Sequence, residues 1–141
     1  MALRTIAALL VEPTSLFEYA IAHEVFGLDR TADGVPAFEF RACAPRRGPI
    51  ALKGTAPGMT ITPSHDLGGL VGADLVIVSP TIPLEDTPYP QEIIDALRAA
   101  HAAGSILMSF CSGAFVLAEA GLDWRQIQLV AGADTIRNGY P

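Results

Sequence analysis

The stretch "MSFCSGAFVLAEAG", residues 108–121, joins an apolar run to a helical pattern through one cysteine. The run "SILMSF" at 105–110 has the composition of a buried strand, and "SGAFVLAEAG" at 112–121 has the periodicity of an amphipathic helix. A strand that passes into a helix through so short a turn is typical of a parallel sheet covered by helices. The pattern therefore predicts Cys111 at the carboxyl edge of such a sheet.

Strand and helix patterns alternate along the rest of the chain. Apolar or alternating runs predict strands at 4–11, 37–44, 72–80 and 125–132. Helical spacing predicts helices at 15–28, with Ser15 as cap, and at 90–104, which starts at Pro90 and ends at Gly104. The segment rich in glycine and proline at 45–64 predicts a β-hairpin or loop, and 133–141 a short final helix or tail.

The composition limits the class of protein. With 141 residues, of which 50% are hydrophobic and 17% charged, we expect one compact domain over residues 1–141. A net charge of -6, with Arg46-Arg47 as the longest basic cluster, predicts no nucleic-acid binding by this chain alone. The first apolar run, Ile6 to Val11, is far shorter than the ~20 residues of a membrane span, so we expect a soluble cytoplasmic protein without a membrane partner.

The two cysteines lie in different patterns. Two cysteines without CxxC spacing predict neither a disulfide scaffold nor a metal site, and both are expected to be thiols. Cys111 has two interpretations: a nucleophile facing the first amides of a helix, or a small apolar side chain that fills space. The spacing alone leaves both open. Cys43, inside an alternating strand with no helix after it, is expected to be structural.

Several motifs together resemble the ThiJ/PfpI superfamily, a group similar to class I glutamine amidotransferases. They are "SLFEYAIAHEVFG", "GADLVIVSP" and "FCSGAFVLAEAGL". Within this group, "HEVFGLDR", "LRAAHAAG" and "SFCSGAFVLAEAGL" are most similar to the amino-terminal domain of AraC-type transcriptional regulators. The resemblance covers residues 3 to 122 and implies an α/β fold, a flavodoxin-like three-layer sandwich with a mainly parallel sheet.

The resemblance also implies a set of site residues. Cys111 corresponds to the family's cysteine at the nucleophile elbow, and Glu18 to the acid that hydrogen-bonds the thiol from the first helix. The amides of Ser112 and Gly113 would form part of an oxyanion pocket. For Glu18, the alternative is an ordinary solvated carboxylate on a helix.

The sequence departs from the family where other donors are expected. Instead of a glycine turn, Ser79-Pro80-Thr81 follows the strand at 72–80, and Pro80 has no N–H to donate. We therefore expect one donor of a hydrolytic oxyanion hole to be missing; the alternative is that Thr81 or Ile82 replaces it through a different turn. The family's histidine after the elbow is also missing, since "RQIQLVAGAD" contains none. The histidines that the chain does have fit packing or capping roles better than catalysis, and they are His23, His65 and His101.

Regulators of this branch continue past the elbow helix with further strands, a closing helix and a helix-turn-helix domain. We expect the closing part of the fold and the DNA-binding domain to be absent from residues 1–141, as in a fragment or a truncated gene product. Alternatively, a second copy of the chain completes the sheet. Exposed strand edges and apolar helix faces would then favour a homodimer.

Three functions are compatible with these observations. The first is a regulatory, ligand-sensing domain that binds a small molecule beside Cys111 and Glu18 without efficient chemistry. The second is a cysteine-dependent enzyme, similar to isonitrile hydratases or glyoxalases, acting as a hydratase, lyase or hydrolase. The third is a redox sensor in which Cys111 is oxidised. No cofactor and no metal is expected in any of them.

Overall fold

The computed structural model describes residues 2–53, 57–81 and 88–122 and the strand at 127–129. The strands, in chain order, are β1 (Thr5–Leu9), β2 (Thr14–Ser15), β3 (Glu39–Cys43), β4 (Ile50–Lys53), β5 (Thr60–Ile61), β6 (Leu75–Val78), β7 (Ile106–Ser109) and β8 (Ile127–Leu129). The helices are α1 (Leu16–Ala22), α2 (Gln91–Ala102) and α3 (Gly113–Glu119). Two short 3₁₀ helices span Thr31–Asp33 and Leu67–Leu70.

The central sheet has five strands in the order β3-β1-β6-β7-β8, and every pair in it is parallel. Numbered by themselves along the chain, these strands have the order 2-1-3-4-5, which is that of flavodoxin-like folds. The expected fold class is therefore confirmed. All four residues of β6 are buried, because helices cover both faces of the sheet.

The first predicted helix changes its geometry part of the way along. The α-helix α1 ends at Ala22, and a π-helical segment, His23–Gly27, continues it. Ser15 lies at the cap position as predicted, although its side chain makes no capping hydrogen bond. Its hydroxyl instead donates to the carboxylate of Glu18.

A second, smaller sheet has the order β2-β4-β5. The strands β4 and β5 are antiparallel, which confirms the hairpin predicted within 45–64. The strand β2 was not predicted, because two residues between a proline and a helix carry no periodicity. It pairs with β4 and also bridges Thr14 to Thr81, so it connects the hairpin to the carboxyl edge of the central sheet.

The end of the chain is described only in part. The strand expected at 125–132 is present as β8, over Ile127–Leu129. The tail expected at 133–141 lies outside the described residues. Within the described part of the chain, no helix is long and apolar enough to span a membrane.

Candidate functional site: the turn at Cys111

Cys111 occupies a turn of unusual backbone conformation between β7 and α3. Its φ is 44°, which makes it the one residue other than glycine with a positive φ in the described ranges. Side chains with a Cβ are disfavoured in this left-handed region, so the turn holds the cysteine at a cost in backbone energy. The thiol is exposed. Space filling therefore does not account for Cys111, whereas a strained strand-to-helix turn is the usual support of an exposed nucleophile.

Gly113 lets α3 lie directly against the end of β6. A Cβ at this position would be 2.5 Å from the carbonyl oxygen of Val78 and 3.2 Å from that of Ser79. Both contacts are with backbone atoms, which cannot move aside as a flexible side chain would. The glycine of the "CSGA" motif is therefore required by the close approach of two backbones.

The backbone donors of the turn are not equally available. The N–H of Gly113 donates to the Phe110 carbonyl oxygen at 2.9 Å, so it is already occupied. The N–H groups of Cys111 and Ser112 donate no hydrogen bond to any described residue. Of the two amides expected in an oxyanion pocket, that of Ser112 is thus the one free to face a bound group.

The hydroxyl of Ser112 fastens the turn to the segment after β6. It donates to the carbonyl oxygen of Thr81 at 2.6 Å. Thr81 is buried, its own hydroxyl donates to the Pro13 carbonyl oxygen at 3.1 Å, and its N–H has no acceptor among the described residues. The structure thus joins Thr81 to the turn through its carbonyl oxygen, while Ile82 lies outside the described residues.

Glu18 is half-buried near the start of α1. Its carboxylate accepts the hydroxyl of Ser15, and no hydrogen bond joins it to the Cys111 thiol. An indirect connection exists, because the Ser15 N–H donates to the Pro80 carbonyl oxygen at 3.1 Å, one residue before Thr81. The acid, through Ser15, and the cysteine turn, through Ser112, are therefore connected to the same short segment, with no hydrogen bond between the acid and the thiol.

Sequence reasoning missed two buried hydroxyl groups at this edge. Ser79 follows β6 and Ser109 ends β7; both are fully buried, and neither hydroxyl has a hydrogen-bond partner among the described residues. A buried hydroxyl without a partner is unfavourable and rare. A small polar residue at the end of each apolar strand was the available clue in the sequence.

The other candidate groups lie away from the turn and have structural partners. Cys43 is fully buried, and burial raises the pKa of its thiol to about 11, which fits the expected structural role. His23 packs edge-on against Phe40, with ring centres 5.6 Å apart, and Nδ1 of His65 is 2.8 Å from the Ser64 hydroxyl. No group of three or more metal-ligating side chains exists among the described residues.

These features define a doubly wound, flavodoxin-like α/β domain with an exposed cysteine at a strand-to-helix turn. No protein-family model matches the sequence, and no curated protein matches it. Many solved structures share the fold, which confirms the expected resemblance, and three of them illustrate it. An AraC family transcriptional regulator from Pseudomonas putida is 21% identical, with a TM-score of 0.68 over 97% of this chain and 91% of that chain.

The second structure is of a protein from Vibrio parahaemolyticus, assigned as a transcriptional regulator. It is 16% identical, with a TM-score of 0.71 over 92% of this chain and 77% of that chain. The third, DJ-1beta of Drosophila melanogaster, is 15% identical, with a TM-score of 0.65 over 93% and 75%. At these identities the likeness establishes the fold that this chain shares with DJ-1/ThiJ proteins and AraC-family regulators.

Proposed function

We propose that this chain is a regulatory, ligand-sensing domain of the ThiJ/PfpI type, of the kind that AraC-family regulators carry. It binds a small molecule in the cytoplasm and carries out no efficient turnover. DNA contact would require a separate helix-turn-helix domain, because the net charge of this chain is -6. The fold shared with regulators is compatible with this role, but a fold does not by itself fix a function.

The observation that carries the proposal concerns the Glu18 carboxylate and the Gly113 N–H, the acid and the amide expected beside the thiol. Both are hydrogen-bonded to other groups. The Glu18 carboxylate accepts from Ser15, and the Gly113 N–H donates to Phe110. Neither makes a hydrogen bond with the Cys111 thiol, and no hydrogen bond joins a histidine to the turn among the described residues. A cysteine without an acid or base in hydrogen-bonding reach lacks the usual partner for proton transfer.

A different observation supports cysteine chemistry as the second candidate. Cys111 is exposed on a strained turn, with the N–H groups of Cys111 and Ser112 unoccupied by described residues. This arrangement suits a cysteine-dependent hydratase or glyoxalase, with the free amides receiving a developing oxyanion. It also suits a redox sensor, in which the thiol is oxidised by hydrogen peroxide to a sulfenic acid and the peroxide is reduced to water.

Turnover by the purified chain separates these candidates. The substrates are methylglyoxal and a simple isonitrile, and the matched variant is Cys111→Ser, with Cys43→Ser as control. Equal background rates for the parent and Cys111→Ser support the regulatory proposal. A rate that is lost only in Cys111→Ser contradicts it in favour of an enzyme. Peptide mass spectrometry after peroxide treatment tests the sensor, which requires reversible oxidation at Cys111 alone.

We further propose that the chain forms a homodimer through α1 and the π-helical segment after it. Three large apolar side chains are exposed there, and the extended residue that follows, Leu28, adds a fourth. They recur at intervals of three or four residues: Phe17, Ile21, Val25 and Leu28. Phe17 is 72% exposed. Exposed apolar stripes of this kind mark interaction surfaces, and a stripe on one helix can pack on its own copy around a two-fold axis. The edge strand β3 is a weaker candidate, because His65 already pairs with its end.

A further inference from the structure

A cleft of about 360 Å³ opens at the carboxyl edge of the central sheet, away from Cys111. It lies between the residues that follow β1, the residues that follow β3, and the beginning of α2. Neither Cys111 nor Glu18 lines it. The volume falls in the range of ~300–1,000 Å³ that small-molecule sites occupy. The edge is also where parallel α/β sheets usually bind their ligands.

The walls of the cleft are mainly apolar. Core side chains form its floor, among them Leu10, Ile50 and Ile93, each no more than 1% exposed. Tyr89, 7% exposed, adds an aromatic ring. A ligand that fits such walls has a compact apolar body, because a polar body would lose its hydration there without compensating hydrogen bonds.

The charged side chains around the cleft disfavour an anionic head group. Glu12 and Arg46 form an ion pair at 2.9 Å, and Glu12 also accepts the N–H of Ala51 at 3.0 Å, so their charges compensate each other. Glu92, in the first turn of α2, is exposed and has no ion pair with a described residue. The charge left uncompensated at the cleft is therefore negative, which disfavours an anionic ligand.

We propose that this cleft is a binding site for a compact aromatic or aliphatic molecule that carries no negative charge. The inference deepens the proposed sensory function, on which it rests, by assigning a site and a class of ligand. It places the ligand on the β1/β3 side of the sheet, whereas the turn at Cys111 follows β7.

The test uses three probes that share a phenyl ring and differ in charge: neutral benzyl alcohol, cationic benzylamine and anionic benzoate. Each is titrated into the ¹⁵N-labelled chain, and amide shifts are followed by NMR. Saturable shifts are expected at Val11, Ala44, Ile50 and Ile93 with the alcohol and the amine, and binding of benzoate should be weaker by about tenfold or more. Preferred binding of benzoate, or the absence of saturable shifts with all three probes, overturns the proposal.

Three exposed positions supply the variants. Pro88→Trp should plug the cleft and weaken binding of the alcohol by about tenfold or more. Val71→Trp, at a separate cavity between the second 3₁₀ helix and α2, is the matched control and should leave that binding unchanged. Glu92→Gln should remove most of the difference between benzylamine and benzoate. Binding that Val71→Trp abolishes and Pro88→Trp does not would move the site elsewhere and contradict the inference.

Failure of the binding site and failure of the proposed sensory function give different results. If Cys111-dependent turnover is found while the probes still bind the cleft, the sensory role fails and the binding site stands. If turnover is absent and the probes do not bind, the site assigned here fails and the sensory role can still rest on the turn at Cys111.

Discussion

The hydroxyl of Ser112 donates a 2.6 Å hydrogen bond to the carbonyl oxygen of Thr81, and so joins the cysteine turn to the segment that also holds the start of α1. Ser112→Ala removes this bond and leaves a buried carbonyl oxygen without that donor. The free energy of unfolding should fall by about 1 kcal/mol, measured by urea denaturation. The alkylation rate of Cys111 should change as well, because the turn loses its attachment.

A matched control exists for this prediction. Ser105 donates to the Ala73 carbonyl oxygen, also at 2.6 Å, at the opposite end of β7. Ser105→Ala should lower stability by a similar amount and leave the alkylation rate of Cys111 unchanged. Equal effects of both variants on alkylation would show that Ser112 has no local influence on the thiol.

Gly113→Ala should be strongly destabilising. Its Cβ would lie 2.5 Å from the Val78 carbonyl oxygen, and α3 would have to move away from β6. We expect a loss of about 2–4 kcal/mol in the free energy of unfolding. Gly48→Ala is the control, since its Cβ would meet only the end of the flexible Arg46 side chain and stability should change little. Similar values for both variants would mean that α3 yields easily at this contact.

Cys111→Gly should stabilise the chain, contrary to the usual effect of adding a glycine. The residue has a φ of 44° and its side chain is exposed, so glycine relieves backbone strain without loss of packing. The expected gain is about 0.5–1 kcal/mol, and Cys111→Val should instead lose about 1–2 kcal/mol. The control is Ala99→Gly at an exposed position of α2, which should lower the free energy of unfolding by about 1 kcal/mol. A loss in both glycine variants would show that the turn is not strained.

Stability should depend on pH through Cys43. Burial raises the pKa of this thiol from 9.0 to about 11 in the folded chain. The buried neutral thiol therefore makes its full contribution to the free energy of unfolding below pH 9. That contribution is lost as the pH rises through 11, because the unfolded chain loses the proton first. Burial raises the pKa of Tyr19 too, so the difference between the parent and Cys43→Ala, followed by urea denaturation at increasing pH, isolates the thiol. Parallel stability curves would contradict the prediction.

Phe17→Ser should weaken the proposed homodimer. Phe17 is the most exposed member of the α1 stripe, and removing it takes away the largest apolar contact. The dissociation constant, from light scattering at a series of concentrations, should rise about tenfold or more. Met59→Ser, at an exposed apolar residue off the stripe, should leave it unchanged. A parent chain that is monomeric at every concentration would disprove the dimer.

The sheet could be predicted from the sequence because its strands are continuous apolar runs and its helices have clear periodicity. β1, β6 and β7 were predicted for that reason, and so was Cys111 at the edge of the sheet. The hydrogen bonds of the site could not be predicted in the same way. Whether Glu18 bonds to Ser15 or to the thiol depends on side-chain rotamers that no pattern encodes. The resemblance supplied the residues of the site but not their hydrogen-bond partners.

The segment Pro80-Thr81 receives hydrogen bonds from both the cysteine turn and the strand that leads into α1. The Ser112 hydroxyl donates to the Thr81 carbonyl oxygen, and β2 donates to the Pro80 carbonyl oxygen from the Thr14 hydroxyl and the Ser15 N–H. A ligand or an oxidation that moves this segment together with the turn would therefore change the free energy of whatever packs on the outer side of α1. Thermodynamic linkage makes the effect equal in both directions. If two copies associate there, dimer formation would change the affinity for a ligand at Cys111 by some factor. Binding of that ligand would change the affinity between the two copies by the same factor. One short segment would then act as both the input and the output of the domain.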